Sequence, residues 1–186
     1  MAFSLRAALL AGAILCVLPA HALTQTPPPV PPATAAPPED GQWTMPAKNY
    51  ASTRYSELKE ITADNVKDLK VAFTFSTGVN RGHEAAPLVV NNTMYIVAPY
   101  PNILYALDLT KPGAPMKWKY EPQPEAASQG VACCDVVNRG ATYDNGRIYF
   151  NTLDGQTAAV DADTGKEVWK VKVGDIRIGE TITMAP

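Results

Sequence analysis

The chain has 186 residues and a formal net charge of -2, and charged residues make up only 18% of it. Because this balance offers no basic surface for a polyanion, we exclude a nucleic-acid partner. The 46% share of hydrophobic residues is ordinary for a globular protein. The 17 prolines are unusual in their placement, since seven of them fall between residues 27 and 38 and indicate a linker.

The first 22 residues have the three parts of a secretory signal peptide. Arg6 lies near the start, an apolar run covers residues 7–19, and Ala20, His21 and Ala22 form a small-x-small cleavage site. A membrane anchor is disfavoured because the run is shorter than the ~20 residues that span a bilayer. A lipoprotein at Cys16 is disfavoured by the bulky residues before it. The sequence therefore predicts export, with no membrane span after cleavage.

The exported part begins with a lead-in and continues as a folded region. Residues 23–41 are rich in Pro, Ala and Thr, which predicts a disordered or semi-rigid linker. From residue 42 onward, aromatic residues appear. Residues 57–69 have a short helical pattern, with Thr62 as a candidate cap for the turn at 63–65. After this segment the hydrophobic pattern changes to the period of two that is typical of strands.

Short strands separated by tight turns follow to the end of the chain. The pattern predicts a strand at residues 71–75 and a hairpin of 87–90 with 93–97 around Asn91 and Asn92. A second hairpin joins residues 141–143 to 147–150 around Asn145 and Gly146. Asn and Gly accept the positive φ angles that two-residue hairpin loops need.

These hairpins belong to an internal repeat of about 50 residues, which is typical of propeller blades. Residues 94–95 align with 148–149, residues 106–108 with 159–161, and Trp118 with Trp169. We interpret the two tryptophans as apolar wedges between blades and residues 161–166 as a turn, because a calcium loop would need further ligands. The sequence predicts an all-β propeller of which two to three blades are present, with exposed strand edges.

Cys133 and Cys134 are adjacent and are the only cysteines left after the leader. In an oxidising compartment the pair can stay reduced, bond to another molecule, or form a strained disulfide with each other. Strain of that kind is concentrated at functional sites. The residues themselves leave these alternatives open.

Four motifs resemble a known family in order and spacing. They are RGHEAAPLVV at 81–90, APYPN at 98–102, CCDVVNRG at 133–140 and GETITMAP at 179–186. Together they resemble the pyrroloquinoline quinone (PQQ)-dependent alcohol dehydrogenases of the methanol and ethanol type. The resemblance runs from about residue 43 to the last residue.

The resemblance implies an eight-bladed propeller in the periplasm with PQQ in a central funnel. Cys133 and Cys134 correspond to a vicinal disulfide that forms one wall of the PQQ slot. Glu84, Arg139 and Thr183 correspond to polar contacts at the rim of the quinone. A guanidinium and a hydroxyl suit a flat tricarboxylate, whereas Glu84 needs a proton or a bridging donor beside it. His83 is interpreted as a loop residue without a role.

The resemblance also implies the rest of the reaction. A small primary alcohol is the substrate, a calcium or lanthanide ion acts as Lewis acid, and a c-type cytochrome accepts the electrons. A homodimer is compatible with the family. The metal ligands and the catalytic carboxylates are expected beyond Pro186, so no residue of the chain is assigned to either role. We expect the 186 residues alone to be inactive, as the amino-terminal part of a truncated dehydrogenase.

Two other interpretations compete with a dehydrogenase. A non-enzymatic propeller scaffold of the outer-membrane assembly type shares the tryptophan-containing repeat. It has no evident reason to hold two cysteines beside an arginine. A pseudo-enzyme remnant, or an oligomer that completes its propeller from several chains, is the third possibility.

Overall fold

The computed structural model describes residues 40–133 and 135–186, and their fold is two four-stranded antiparallel sheets. The first sheet, here the first blade, contains β1 (Leu88–Val90), β2 (Thr93–Val97), β3 (Leu104–Asp108) and β4 (Met116–Tyr120). The second blade contains β5 (Ala141–Asp144), β6 (Arg147–Asn151), β7 (Gln156–Asp161) and β8 (Glu167–Lys172). Each blade is a simple meander in which sequential strands pair. The predicted all-β fold is confirmed.

The helices of the described residues are three short 3-10 turns at Val66–Asp68, Ala126–Gly130 and Ile176–Ile178. None of the helices in this part of the chain has the length and apolar character to cross a membrane. The predicted signal peptide and nearly all of the predicted linker lie outside the described residues and stay predictions.

Both predicted hairpin turns are confirmed by their backbone angles. Asn91 and Asn92 have φ values of 48° and 57°, and Asn145 and Gly146 have values of 46° and 76°. In each hairpin the twist of the two-residue loop matches that of its strands, so the register of the hairpin is fixed. That register directs the same face of each strand toward the core.

The core lies between the two blades and is made of their facing apolar residues. Trp118 of β4 is confirmed as an inter-blade wedge, because its Nε1 donates to the main-chain oxygen of Ala162 at 3.1 Å. The hydroxyl of Tyr95 donates to the same oxygen, also at 3.1 Å. Gly165 packs against the indole so closely that an added Cβ would lie 2.6 Å from Cδ2 of Trp118. Trp169, the counterpart in the second blade, is 39% exposed.

The predicted helix at 57–69 is wrong except for one turn. Only Val66–Asp68 is helical, and Leu58, Ile61 and Leu69 are about 60% exposed. A short helix needs an apolar face packed on a core, and this segment has none among the described residues. The turn itself is confirmed, although the Asn65 side chain caps it by accepting from the Thr62 N–H at 2.7 Å.

The predicted strand at 71–75 is also absent. Its pattern suits a strand, but a strand needs a partner with free backbone groups. The free edge of β1 is already occupied by Trp43, which exchanges two backbone hydrogen bonds with Val89 at 2.7 and 3.1 Å. Phe75 packs edge-on against Tyr105 with ring centroids 5.2 Å apart.

The turn at 161–166 is confirmed. The Asp161 carboxylate accepts from the backbone N–H and the hydroxyl of Thr164 at 2.8 and 2.7 Å, and these hydrogen bonds lower the pKa of Asp161. Within the described residues there is no group of three or more His, Cys, Asp or Glu side chains that could hold a metal. The hydrogen bonds of Asp161 make the loop a turn between β7 and β8.

Candidate functional site

Glu84, Arg139 and Thr183 come together at one end of the blades, although 99 residues separate the first from the last. Two of them lie on segments that lead into the first strand of a blade, and the third lies on the segment that follows the second blade. Glu84 precedes β1, Arg139 precedes β5, and Thr183 follows the 3-10 turn at Ile176–Ile178. The structure therefore brings three of the five predicted site residues into one cluster, which we call the rim triad.

Arg139 is the centre of the rim triad. Its Nη1 donates to the Thr183 hydroxyl at 2.6 Å, and its Nη2 lies 3.3 Å from Oε2 of Glu84. The Arg139 backbone N–H also donates to the Thr183 carbonyl at 2.9 Å, so two contacts fix this pair. The side chains of Arg139 and Glu84 are 48% and 50% exposed, which leaves the guanidinium accessible from solvent.

Backbone packing holds these entry segments close together. Ala86 and Gly140 form a parallel bridge, and a Cβ on Gly140 would lie 3.3 Å from the Ala86 oxygen. Gly140 also has a φ of 118°, a conformation that favours glycine. The residue next to Arg139 is thus restricted to glycine both by its backbone angle and by its neighbour.

Asn138, on the other side of Arg139, was not among the predicted site residues. This side chain is 1% exposed, accepts from the Gly140 N–H at 2.9 Å and donates to the Asn151 carbonyl at 2.9 Å. A buried amide with these bonds fixes the loop that carries Arg139. Its signals in the sequence were its place in the CCDVVNRG motif at 133–140 and its polar side chain directly after the apolar Val136 and Val137.

Cys133 is exposed and forms no disulfide with another described residue. Cys134 lies outside the described residues, so the predicted vicinal disulfide stays a prediction. Downstream of the pair, Asp135 has a φ of 69° and its carboxylate accepts from the Val136 N–H at 2.8 Å. In the described part of the chain, Cys133 contributes no hydrogen bond to the rim triad.

His83 is a loop residue, as interpreted from the sequence. Its Nδ1 donates to the Arg81 carbonyl at 2.8 Å, and its Nε2 lies 2.8 Å from the Thr77 hydroxyl oxygen. The adjoining open cavity of about 450 Å³ is lined by residues 75–80 and His83. None of the predicted site residues lines this cavity.

Comparison with known proteins identifies the fold that carries this cluster. Residues 43–176 match the PQQ family model, which is described as the glucose/ethanol/alcohol dehydrogenase beta-propeller domain. The chain belongs to this family. The match includes Glu84, Cys133, Cys134 and Arg139 and ends before Thr183. Membership in a dehydrogenase family disfavours the scaffold interpretation of the repeat.

Several methanol dehydrogenases are similar to this chain at high identity. The lanthanide-dependent methanol dehydrogenase of Methylacidiphilum fumariolicum is 57% identical over 148 residues, covering 80% of this chain and 24% of the relative. Subunit 1 of the cytochrome c methanol dehydrogenase of Methylorubrum extorquens is 48% identical over 153 residues, covering 79% of this chain and 24% of the relative. The chain thus spans about a quarter of these relatives' length.

Solved structures agree with the two-blade fold. A europium-containing methanol dehydrogenase matches with a TM-score of 0.76 and 57% identity, over 78% of this chain and 25% of that one. A quinohemoprotein alcohol dehydrogenase from Pseudomonas putida HK5 matches with a TM-score of 0.75 and 40% identity, over 80% of this chain and 21% of that one. The predicted resemblance and the propeller class are confirmed.

Proposed function

We propose that the gene product carrying this chain oxidises small primary alcohols of the methanol or ethanol type to aldehydes with PQQ. The observation that carries the proposal is the rim triad, in which one accessible guanidinium lies between a hydroxyl and a carboxylate at the ends of two propeller blades. Family membership supplies the context for this cluster. Its polar groups suit the rim of a flat, multiply charged ligand.

The donor set of the rim triad fits PQQ. A guanidinium has N–H groups on three nitrogens, and the contacts to Thr183 and Glu84 leave some of them free for carboxylate or quinone oxygens. Arg139 also supplies the bridging donor that an anion such as Glu84 needs beside a tricarboxylate. Glu84 thus orients the guanidinium and reduces its rotational freedom before the cofactor binds.

Burial under the cofactor would strengthen the rim triad. Half-exposed ion pairs contribute little, because water screens them. A flat ligand that covers the Arg139–Glu84 pair removes water and lowers the effective dielectric constant around it. The Arg139–Glu84 pair should therefore contribute more to PQQ affinity than it contributes to the stability of the apoprotein.

When bound, PQQ supplies the acceptor for the hydride that leaves the alcohol, and a calcium or lanthanide ion supplies Lewis acidity beside it. Within this scheme, Arg139 and Thr183 hold and orient the quinone rim, and Cys133 with Cys134 forms one wall of its slot. Electrons would pass to a c-type cytochrome. The proposal assigns neither the base nor a metal ligand to the described residues.

A lanthanide is the metal we propose first. A curated relative and a solved structure, each 57% identical to this chain, are named as lanthanide-dependent and europium-containing, whereas the cytochrome c methanol dehydrogenase of Methylorubrum extorquens is 48% identical. We further propose that the protein acts in the periplasm after removal of residues 1–22. Amino-terminal sequencing of the exported product should then start at Leu23.

Reconstitution of the full-length gene product tests the proposed function. The purified apoprotein would receive PQQ with calcium, lanthanum or neither, and dye reduction would be followed with methanol, ethanol and a secondary alcohol. We expect turnover of the primary alcohols only with PQQ and a metal, and faster turnover with lanthanum. No turnover with either metal would contradict the proposal.

A further inference from the structure

We propose that Asn151 is a positioning residue that fixes Thr183 against Arg139 and thereby sets the affinity of the rim triad for PQQ. The inference rests on the proposed function. Asn151 lies at the end of β6, between the two segments that carry Arg139 and Thr183, and is only 8% exposed. It contacts the neighbour of each of these residues.

The main-chain carbonyl and the side-chain amide of Asn151 bind the two segments that carry Arg139 and Thr183. Its main-chain oxygen accepts from Nδ2 of Asn138, the residue before Arg139, at 2.9 Å. Its own Nδ2 donates to the main-chain oxygen of Met184, the residue after Thr183, at 3.0 Å. Because β6 is paired on both sides, by β5 and β7, one rigid strand end determines how far apart the two loops lie.

The amide of Asn151 is held in the orientation that this contact requires. Its Oδ1 accepts from the Thr157 hydroxyl of β7 at 2.7 Å. Because that bond occupies the oxygen side of the amide, the NH2 group is directed toward Met184. A buried amide with both ends bonded has little freedom to rotate, so it transmits the position of the sheet to the Thr183 segment.

The first blade shows that packing alone does not require these polar residues. In the repeat, Val97 is the counterpart of Asn151, and it pairs with Leu104 as Asn151 pairs with Thr157. Val97 is 2% exposed and Leu104 is fully buried. The second blade thus has a hydrogen-bonded polar pair where the first has an apolar cross-strand pair, and the polar pair lies at the strand ends that contact Asn138 and Met184, the neighbours of Arg139 and Thr183. A role in the site explains the replacement, whereas a role in the core does not.

The mechanism of this positioning follows from the contacts of Thr183. The Thr183 carbonyl accepts from the Arg139 backbone N–H at 2.9 Å, so this point of the segment is held without Asn151. The tether at Met184 holds the next residue, and its loss would let the segment pivot about the Thr183 carbonyl and turn the hydroxyl away from Nη1 of Arg139. The Arg139 side chain would then be less ordered before PQQ binds. Ordering it on binding would cost conformational entropy, which would weaken the affinity for PQQ.

The test transfers the pair of the first blade into the second, as Asn151→Val with Thr157→Leu in the full-length gene product. The probe is PQQ itself, titrated into apoprotein and followed by quenching of protein fluorescence. We expect the Kd for PQQ to rise about ten-fold while the thermal midpoint changes little, because the same Val–Leu pair is already buried at the equivalent positions of the first blade. Asn151→Asp, which keeps the acceptor for Thr157 and loses the donor to Met184, should raise the Kd similarly.

A matched control separates positioning from general anchoring of the same segment. The Thr142 hydroxyl donates to the Pro186 oxygen at 2.9 Å, so Thr142→Val removes a tether that is not adjacent to Thr183. We expect this change to leave the Kd within about two-fold of the parent. An equal rise in the Kd from Thr142→Val would overturn the inference.

A double-mutant cycle provides the deciding readout. In a Thr183→Val background the hydroxyl is already gone, so the Asn151→Val and Thr157→Leu changes should add less than about two-fold to the Kd. Fully additive effects, or an unchanged Kd in the parent background, would refute positioning by Asn151. If the parent protein binds no PQQ, the proposed function fails and this inference fails with it.

Discussion

Nη2 of Arg139 lies 3.3 Å from Oε2 of Glu84, and this contact joins the entry of the second blade to the entry of the first. The contact explains how a carboxylate can belong to a site for an anionic cofactor, because the guanidinium lies beside it as a donor. Thr183 completes the arrangement from the segment that follows the second blade. Three segments that are distant in sequence therefore share one cation.

The Thr183 hydroxyl should contribute to PQQ affinity through Arg139. Thr183→Val removes the oxygen that accepts from Nη1 of Arg139 at 2.6 Å and leaves a side chain of the same shape. We expect a rise of about ten-fold in the Kd for PQQ, in line with the roughly 1.5 kcal/mol of a charged hydrogen bond. Fluorescence titration measures it. Thr183→Ser retains the hydroxyl and should stay near the parent value; equal weakening by Ser and Val would contradict the prediction.

Gly165 should be the glycine least tolerant of alanine in the blade interface. An added Cβ meets the Trp118 ring at 2.6 Å, and φ is 71°. We expect Gly165→Ala to lower the free energy of unfolding by about 3 kcal/mol, from overpacking and backbone strain together. Gly146→Ala is the control, since its φ of 76° is similar and nothing lies within 4 Å, and it should cost about 1 kcal/mol. If both variants lost the same free energy of unfolding in urea, the close packing of Gly165 against Trp118 would not be supported.

Tyr95 should make the blade interface sensitive to alkali. Burial raises the pKa of Tyr95 from 10.0 to about 12, so the stabilisation from its neutral phenol is complete below pH 10 and is lost as the pH rises toward 12. Tyr95→Phe lacks both this ionisation and the hydrogen bond to Ala162. We expect the stability difference between the parent and Tyr95→Phe to shrink across that interval in urea unfolding. A difference that is constant with pH would be inconsistent with this assignment.

Cys133 and Cys134 should form a disulfide with each other in the exported protein. Intact-mass measurement of unreduced protein should find the pair two hydrogens lighter than the dithiol, and reduction should restore two sites for alkylation. The change should not occur in a Cys134→Ser variant, whose single remaining thiol should alkylate without reduction. Two alkylatable thiols in the exported parent protein would remove one wall of the proposed slot.

The sequence was sufficient where local chemistry decides the structure. Asn91 with Asn92, and Asn145 with Gly146, specify hairpins through their own φ preferences, so both hairpins were predicted at nearly the observed residues. The sequence was insufficient where a segment's structure depends on a pairing partner elsewhere in the chain. Residues 71–75 have the pattern of a strand, but no described strand pairs with them, and a sequence pattern does not reveal where a partner lies.

The site shows the same division. Motif resemblance identified Glu84, Arg139 and Thr183 as a set, but the contact of Arg139 with both of the others follows from the packing of the entry segments. Asn138 and Asn151 were missed because their roles depend on hydrogen bonds to main-chain groups 13 and 33 residues away in sequence. Aligning the two repeats would have revealed Asn151, because its counterpart in the first blade is the apolar Val97.

Equilibrium titration of the full-length apoprotein with PQQ, in the parent and in Arg139→Gln, tests the central claim most directly. Arg147→Gln is the matched control, because Arg147 is exposed at the opposite end of β6 from the rim triad. The account predicts saturable binding that Arg139→Gln weakens by about 100-fold, as roughly 3 kcal/mol of charge-assisted contact is lost, while Arg147→Gln leaves it unchanged. Binding that is unaffected by Arg139→Gln, or weakened equally by both substitutions, would contradict it.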